Sequence, residues 1–568
     1  MTAAAVARAP EGRVLALIEA GFEAFSKADH NAAGRAAAEL LALEPGQVDA
    51  LYLSGLVAAA REDFVAAEDF FERALLAKRD FPDPWIALLQ LLQRLDRKDD
   101  FNAVYALASE EVGARRETRA QLANLLIATD PARALRELEA LAVAEPEAAS
   151  VAAARLRALV ALGRAEEAAD EARALLAARP EGVDETALLG ITLVESAQFD
   201  EARRVLSAGI QAHPETYAFR FDLCLALHRA GDDEGFEREA AALLERFPED
   251  PQTTFLLAYR DLARGRFTQG FARYESRKRV PGAHVIGSAP IPEWQGGATP
   301  GKRLLVFDEQ GYGDNLMFAR FLPHLFARGM AVTLVCPDAL YALFAAQPSL
   351  RTTRVLRRLN TPQWHEGDRW CAVMSLPHLL GMDRPTSGVR FPYLEASPAL
   401  VEHWRPRVEN GPGLKVGLAW AANPRQSVGR ERSLAWAQLA PILAVPGVRF
   451  FSLQVGPGRL DGSRPGIDDL APDLYDFADT FAVVAQLDLV VTCDTSVAHV
   501  AGALGKPCWV MTPFLTDWRF AADESDTAWW YPATRVFRQR RRGDWTTVVE
   551  RIARRLRGLA AANQDRRP

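Results

Sequence analysis

Two short segments of this chain set carboxylates, hydroxyls and glycines where a sheet would open onto a ligand. The first is Asp308-Glu309-Gln310-Gly311-Tyr312-Gly313-Asp314-Asn315, which follows an apolar run and leads into a helical pattern. Its two glycines permit a tight turn and close backbone approach. Asp314 falls at the N-cap or first turn of the helix, at the carboxyl end of a strand, where open α/β sheets place ligands. Asp is equally a favoured cap, so position alone leaves Asp314 between a cap and a working carboxylate. The glycines lack the third glycine and the later acidic residue of a dinucleotide fingerprint. The second segment is Asp494-Thr495-Ser496-Val497-Ala498-His499, followed by Gly505-Lys506-Pro507. Thr495 and Ser496 place two hydroxyls and free backbone N–H groups at a helix N-terminus, which is an anion site. His499 lies three or four residues on and can face the same cleft, or sit satisfied in the core.

Elements must hold these segments in place. Apolar runs at 304–308, 332–336, 373–376, 415–420, 448–454, 487–493 and 508–512 read as buried parallel strands, with helical patterns such as 315–328, 436–443 and 497–504 between them. This alternation predicts a doubly wound α/β architecture, and two runs of strands suit two sheets facing across a cleft. The expected halves are 301–412 and 413–560. A proline- and glycine-rich stretch at 281–300 reads as the linker in front of them.

Upstream the text changes to Ala, Leu, Glu and Arg at helical spacing. Pro146, Pro180, Pro214 and Pro248 stand 34 residues apart, as do Leu17, Leu51 and Trp85, and Ala33, Ala67 and Phe101. After a one-residue slip the small position resumes at Ala134, Ala168 and Ala202. Small residues let paired helices approach, and proline stops the second one. With Gly55, Ala67, Phe71 and Ala74 inside one repeat, residues 14–280 resemble the tetratricopeptide family, with about seven repeats and a divergent eighth.

At 568 residues the chain is too long for a single core, and a net charge of −7 argues against a general nucleic-acid binder. The five cysteines are scattered, without disulfide or zinc spacing, which fits a reducing cytoplasm. Residues 1–30 form neither a signal peptide nor a membrane span, and no later segment is long and apolar enough to be one. Arg538, Arg540, Arg541 and Arg542, beside Trp545, either meet an acidic sugar or a phosphate or, the commoner case, form a solvated charge run. Trp518, Trp529, Trp530 and Tyr531 either close over a cleft or pack a seam between halves.

The two motifs occur in this order, one per half. With Gly417-Leu418-Ala419-Trp420, Asn423-Pro424, Arg432-Ser433-Leu434, Ser452-Leu453-Gln454 and Asp476-Phe477-Ala478-Asp479-Thr480, they make residues 302–560 resemble the heptosyltransferase-like glycosyltransferases of the GT-B fold. More closely, the chain resembles their bacterial relatives fused to tetratricopeptide repeats. The resemblance implies an α-helical superhelix followed by two Rossmann-like units. It makes Asp314 a general base facing the acceptor across a loop of Glu309, Gln310, Gly311 and Gly313. Arg432, Gln454, Asp494, Thr495, Ser496 and His499 would surround a nucleotide-sugar donor. Arginine at 432, where the family often has lysine, leaves the donor's phosphate number open. The resemblance implies no metal, and no Asp-x-Asp pair stands at a strand end; helix N-termini and a basic side chain would neutralise the leaving nucleotide. A repeat array beside such an enzyme implies a protein acceptor, with flagellin modified by a nonulosonic acid such as pseudaminic acid as the nearest match. The rival expectations are a degenerate transferase acting as a scaffold, or a transferase acting on a surface glycan.

Overall fold

The computed structural model describes residues 11–565 apart from 28, 62, 96, 145–148, 281–290, 298–300, 359–364, 423–428, 430, 457, 461, 463 and 522–525. Pro146, Asn423 and Pro424, and most of the expected linker, lie outside the described residues. The chain divides into two compact units, residues 1–253 and 254–568.

The first unit is an array of helix pairs. Second helices begin at His30, Phe64, Lys98, Pro131, Ala165, Phe199 and Asp233, a 34-residue step broken by one step of 33. The slip has a location: the first helix of that repeat, Arg116–Leu126, has 11 residues where Pro82–Arg94 has 13. The phased small positions Ala33, Ala67, Ala134, Ala168 and Ala202 are fully buried. A Cβ on Gly55 would stand 2.4 Å from the Phe71 ring, so the pair closes only over glycine. Pro180, Pro214 and Pro248 each follow a helix that ends two residues earlier, at Ala178, Ala212 and Arg246. The residue before each proline is pushed out of the helical region, which stops the helix there. Ion pairs such as Arg97–Glu68 and Arg173–Glu201 link successive repeats at 2.6 and 2.7 Å.

The second unit opens inside the helix Pro251–Ala263 and continues with Phe267–Tyr274, an eighth helix pair that keeps the 34-residue phase. The expected boundary at 280 and this division differ for a physical reason. Phe267, Phe271 and Tyr274 are buried in the same core as the strands that follow. Residues 291–297, the described remainder of the expected linker, run along the edge of the first sheet: Trp294 is buried, and its N–H donates to the Trp370 carbonyl at 2.8 Å.

Two parallel sheets make up the rest. The first contains β1 (Arg303–Phe307), β2 (Ala331–Cys336), β3 (Arg354–Arg357) and β4 (Arg369–Ala372) in the order β3-β2-β1-β4. The second contains β5 (Leu414–Ala419), β6 (Val448–Ser452), β7 (Ile467–Asp469), β8 (Leu489–Cys493), β9 (Cys508–Thr512) and β10 (Thr534–Arg538) in the order β10-β9-β8-β5-β6-β7. Every pairing is parallel. The strand order reverses between β1 and β4 and between β5 and β8, and those switch points are where doubly wound sheets bind ligands. Helical repeats followed by two Rossmann-type sheets are the fold class expected from the sequence.

Some elements differ from expectation. The strand expected at 373–376 is instead a 3-10 turn, Val373–Ser375, running into the helix Leu376–Leu380, with β4 just before it. The apolar text there is shared between a strand end and a buried helix, and Pro377 starts the helix. The helix expected over 315–328 is broken into Tyr312–Phe318, a 3-10 turn and Leu322–Phe326.

Candidate active site

At the mouth of the first sheet the chain leaves β1 and runs into two ion pairs. Asp308 pairs with Arg358. Glu309 is buried and bidentate with Arg277, at 2.6 and 2.8 Å, and Arg277 also donates to Ser375 and to Glu275. Burial alone would lower the Arg277 pKa, but Glu309 and Glu275 more than offset it and hold the guanidinium charged. Glu309, expected on the cleft loop, thus has its carboxylate committed to this internal pair.

Gln310 takes a left-handed backbone conformation, φ 58°. Its amide donates to the Tyr274 hydroxyl and accepts from Arg519, both at 2.9 Å. Gly311 then caps the helix Tyr312–Phe318, and its N–H donates to Asp314 Oδ2 at 3.1 Å. Asp314 Oδ1 accepts from Arg519 Nε at 2.6 Å. One oxygen of Asp314 thus serves the helix end, and the other faces a charged partner from the loop after β9.

At the mouth of the second sheet, β8 is followed by Asp494, which faces Arg432 across 3.2 Å. Burial, reinforced by Asp517, raises the Asp494 pKa, and Arg432 opposes the rise. Thr495 precedes the helix Ser496–Ala503 in extended conformation, and its hydroxyl lies 3.1 Å from that of Thr492. Ser496, half-buried, opens the helix, where the first N–H groups lack intrahelical acceptors. Gln454 is turned to the backbone: Oε1 accepts from Trp420 and Ala421, and Nε2 donates to the Ala421 carbonyl. It shapes the loop after β5.

The two mouths meet. His499 is buried, its Nδ1 lies 2.7 Å from the Tyr531 hydroxyl, and a Cβ on Gly313 would stand 2.5 Å from its ring. Burial first, then Arg519, Arg320 and Arg432, depress the His499 pKa well below its ordinary value. Glycine at 313 is what lets the two helices touch. Gly313→Ala is expected to destabilise the protein by about 1–3 kcal/mol, as overpacking does. A denaturation midpoint equal to the wild type would show that the seam yields freely.

Arg519 and Asp517, in the loop after β9, were missed by sequence reasoning. Arg519 binds Asp314, Gln310 and both oxygens of Asp517. Asp517 in turn acts electrostatically on Asp494 and Arg432. Charges thus alternate from Asp314 through Arg519, Asp517 and Arg432 to Asp494. The available signal was an Asp-Trp-Arg run just beyond a parallel strand's carboxyl end. Trp518 and Trp530 pack the seam: they meet at 5.5 Å, and both pack against Phe271 and Phe318, edge-on in three of the four contacts and tilted in the fourth. In the basic run, Arg542 pairs with Glu431 at 2.9 Å, while Arg538, Arg540 and Arg541 are exposed. A cavity of about 490 Å³ between the helices Pro398–Val408 and Phe477–Ala485 contains none of the candidate residues.

Comparison with known proteins gives four similarities. The tetratricopeptide repeat family matches residues 188–252. Protein FlbA of Caulobacter vibrioides is 31% identical over 366 residues, covering 57% of this chain and 58% of that protein, so the chain spans little more than half the length of this relative. Among solved structures, a glycosyl transferase family 9 protein from Veillonella parvula aligns with 47% of this chain and 99% of its own, at 12% identity and a TM-score of 0.33. A tetratricopeptide repeat protein from Parabacteroides merdae aligns with 49% of this chain and 96% of its own, at 14% identity and a TM-score of 0.31. Among the described residues no helix is long and apolar enough to cross a membrane.

Proposed function

We propose that the chain is a protein glycosyltransferase of the heptosyltransferase-like GT-B kind, moving a sugar from a nucleotide donor to hydroxyls of a protein held by its repeats. The observation that carries this reading is the meeting of two switch-point crevices at Asp314, Arg519 and Gly313–His499. A carboxylate from one sheet thereby stands opposite a helix N-terminus and an arginine from the other.

In this reading Asp314 takes the proton of the acceptor hydroxyl as its oxygen attacks the anomeric carbon. The bond from that carbon to the nucleotide phosphate breaks, and the leaving phosphate carries away the electron pair. The N–H groups at Ser496 and the Arg432 guanidinium offset its charge, so the reading assigns that task to the protein without a metal. The charge distribution supports an anionic substrate on the second unit: residues 254–568 hold 40 Lys and Arg against 29 Asp and Glu, while residues 1–253 hold 27 against 45.

For the acceptor, a repeat array offers an extended surface for a polypeptide. We propose flagellin, with a nucleotide-activated nonulosonic acid such as pseudaminic acid as donor, the modification taking place in the cytoplasm. Intact masses of the cell's flagellins, with and without this gene, test it. A sugar-sized mass lost on deletion is the expected result. Unchanged masses in flagellins and in all other proteins would favour a scaffold, and a change confined to surface glycans would move the acceptor class.

A further inference from the structure

We propose that Arg519 is the positioning residue of this site: reaching across from the second sheet, its guanidinium fixes the orientation of the Asp314 carboxylate, and Gln310 with Tyr274 fixes the guanidinium. The proposal rests on the reading of Asp314 as general base and adds the part that sets its geometry.

A guanidinium is a rigid planar fork, so partners on all three nitrogens leave it no freedom to turn. Arg519 has such partners. Nε donates to Asp314 Oδ1 at 2.6 Å, Nη2 to Gln310 Oε1 at 2.9 Å, and Nη1 to Asp517 Oδ1 and Oδ2 at 3.0 and 3.2 Å. The side chain is also pinned from its face, with the guanidinium carbon 4.4 Å from the Trp518 ring centre. Gln310 is fixed in turn by its left-handed backbone and by the Tyr274 hydroxyl. Tyr274 ends the eighth helix pair and packs at 5.8 Å against Trp518. The line Tyr274–Gln310–Arg519–Asp314 therefore ties the candidate base to three chain segments. Asp314 Oδ2 meanwhile accepts from the Gly311 N–H, so both oxygens are oriented while each keeps a second lone pair for a proton. Burial would lower the Arg519 pKa, but Asp314 and Asp517 raise it well above the ordinary value, so the positioning charge is permanent.

The test uses the full chain with nucleotide-activated pseudaminic acid as donor and purified flagellin as acceptor. Displacing a catalytic group by about 1 Å costs roughly 10²-fold in rate. Arg519→Gln should lower kcat by about that factor while leaving the donor KM within about twofold. Arg519→Lys should recover part of it, since an ammonium reaches one of the three partners. In an Asp314→Asn background, Arg519→Gln should cost little more, because the group it positions is gone. Equal losses in both backgrounds, or a raised donor KM at unchanged kcat, would overturn the proposal; the second result would make Arg519 a donor ligand. Full activity of Asp314→Asn beside an inactive Arg519→Gln would overturn it too, by removing the base. A wild type that moves no sugar removes the functional reading, and this proposal with it. Should Arg519→Gln fail to fold by circular dichroism, Gln310→Leu reads the same line. There kcat should fall about tenfold at unchanged donor KM, and an unchanged kcat would be decisive against the proposal.

Discussion

Asp314→Asn is expected to bind donor and acceptor as the wild type does and to turn over about 10²–10⁴ times more slowly, the usual cost of losing a general base. The substitution separates the helix-end role of this residue from the proposed base role. As a helix-end acceptor, the carboxylate takes one N–H from Gly311 at 3.1 Å, and an Asn oxygen can take the same bond. A cap contributes about 1 kcal/mol to stability and nothing directly to the barrier. A general base at this position would lower the barrier by about 3–5 kcal/mol, since each tenfold in rate is close to 1.4 kcal/mol. Stability and rate therefore report on different roles. Donor affinity by calorimetry and transfer rate by intact mass settle the matter together. If the Asn variant transfers sugar at the wild-type rate, Asp314 only ends a helix and the base lies elsewhere.

The parts of the fold that were legible in the sequence are those where one physical demand repeats. Each helix pair needs a small residue where its helices touch and a stop after its second helix. The same types therefore return every 34 residues, and even the slip before Ala134 corresponds to one shortened helix. Central strands were visible for a similar reason: β8 and β9 are buried at every position and read as unbroken apolar text. The strands that escaped notice, β3, β4, β7 and β10, all lie at sheet edges. Edge strands carry charge, as Arg354, Arg357, Asp468, Asp469, Arg535 and Arg538 show, and charge hides the apolar signal.

At the site, the two loop motifs were legible because a strand–turn–helix junction leaves local marks. Which side chains face a substrate was not. Glu309, Gln454 and His499 have the types expected of cleft residues, yet they are spent on Arg277, on the backbone after β5 and on the seam with Gly313. A polar group buried at a strand end needs partners whether or not a ligand binds, so its type alone does not reveal its task. Arg519 was invisible for the opposite reason. Its partner Asp314 is 205 residues away, and no local pattern announces a contact made by tertiary folding.

The last expected result concerns where the α/β unit begins. Residues 254–568 are expected to fold, and residues 281–568 are not. Cutting at 280 removes the eighth helix pair, with Phe267, Phe271 and Tyr274 buried against Trp518, Trp530 and Phe318. A fully buried side chain of that size is worth about 1.5–3 kcal/mol. The same cut removes Arg277 and leaves Glu309 as an unpaired charge in the interior, a loss of about 3–5 kcal/mol when one partner of a buried pair disappears. Together these reach on the order of 10 kcal/mol, comparable with the whole stability of a typical domain at about 5–15 kcal/mol. The Gln310–Tyr274 bond goes with them, so a surviving fragment would also lose the support behind Arg519. Circular dichroism and denaturant unfolding of the two fragments decide it. One cooperative transition from both fragments, at similar midpoints, would mean that the eighth helix pair is only attached to the α/β unit. A transition from the longer fragment alone would place the pair inside that unit, its helices in phase with the repeats and its side chains part of the sheets' core.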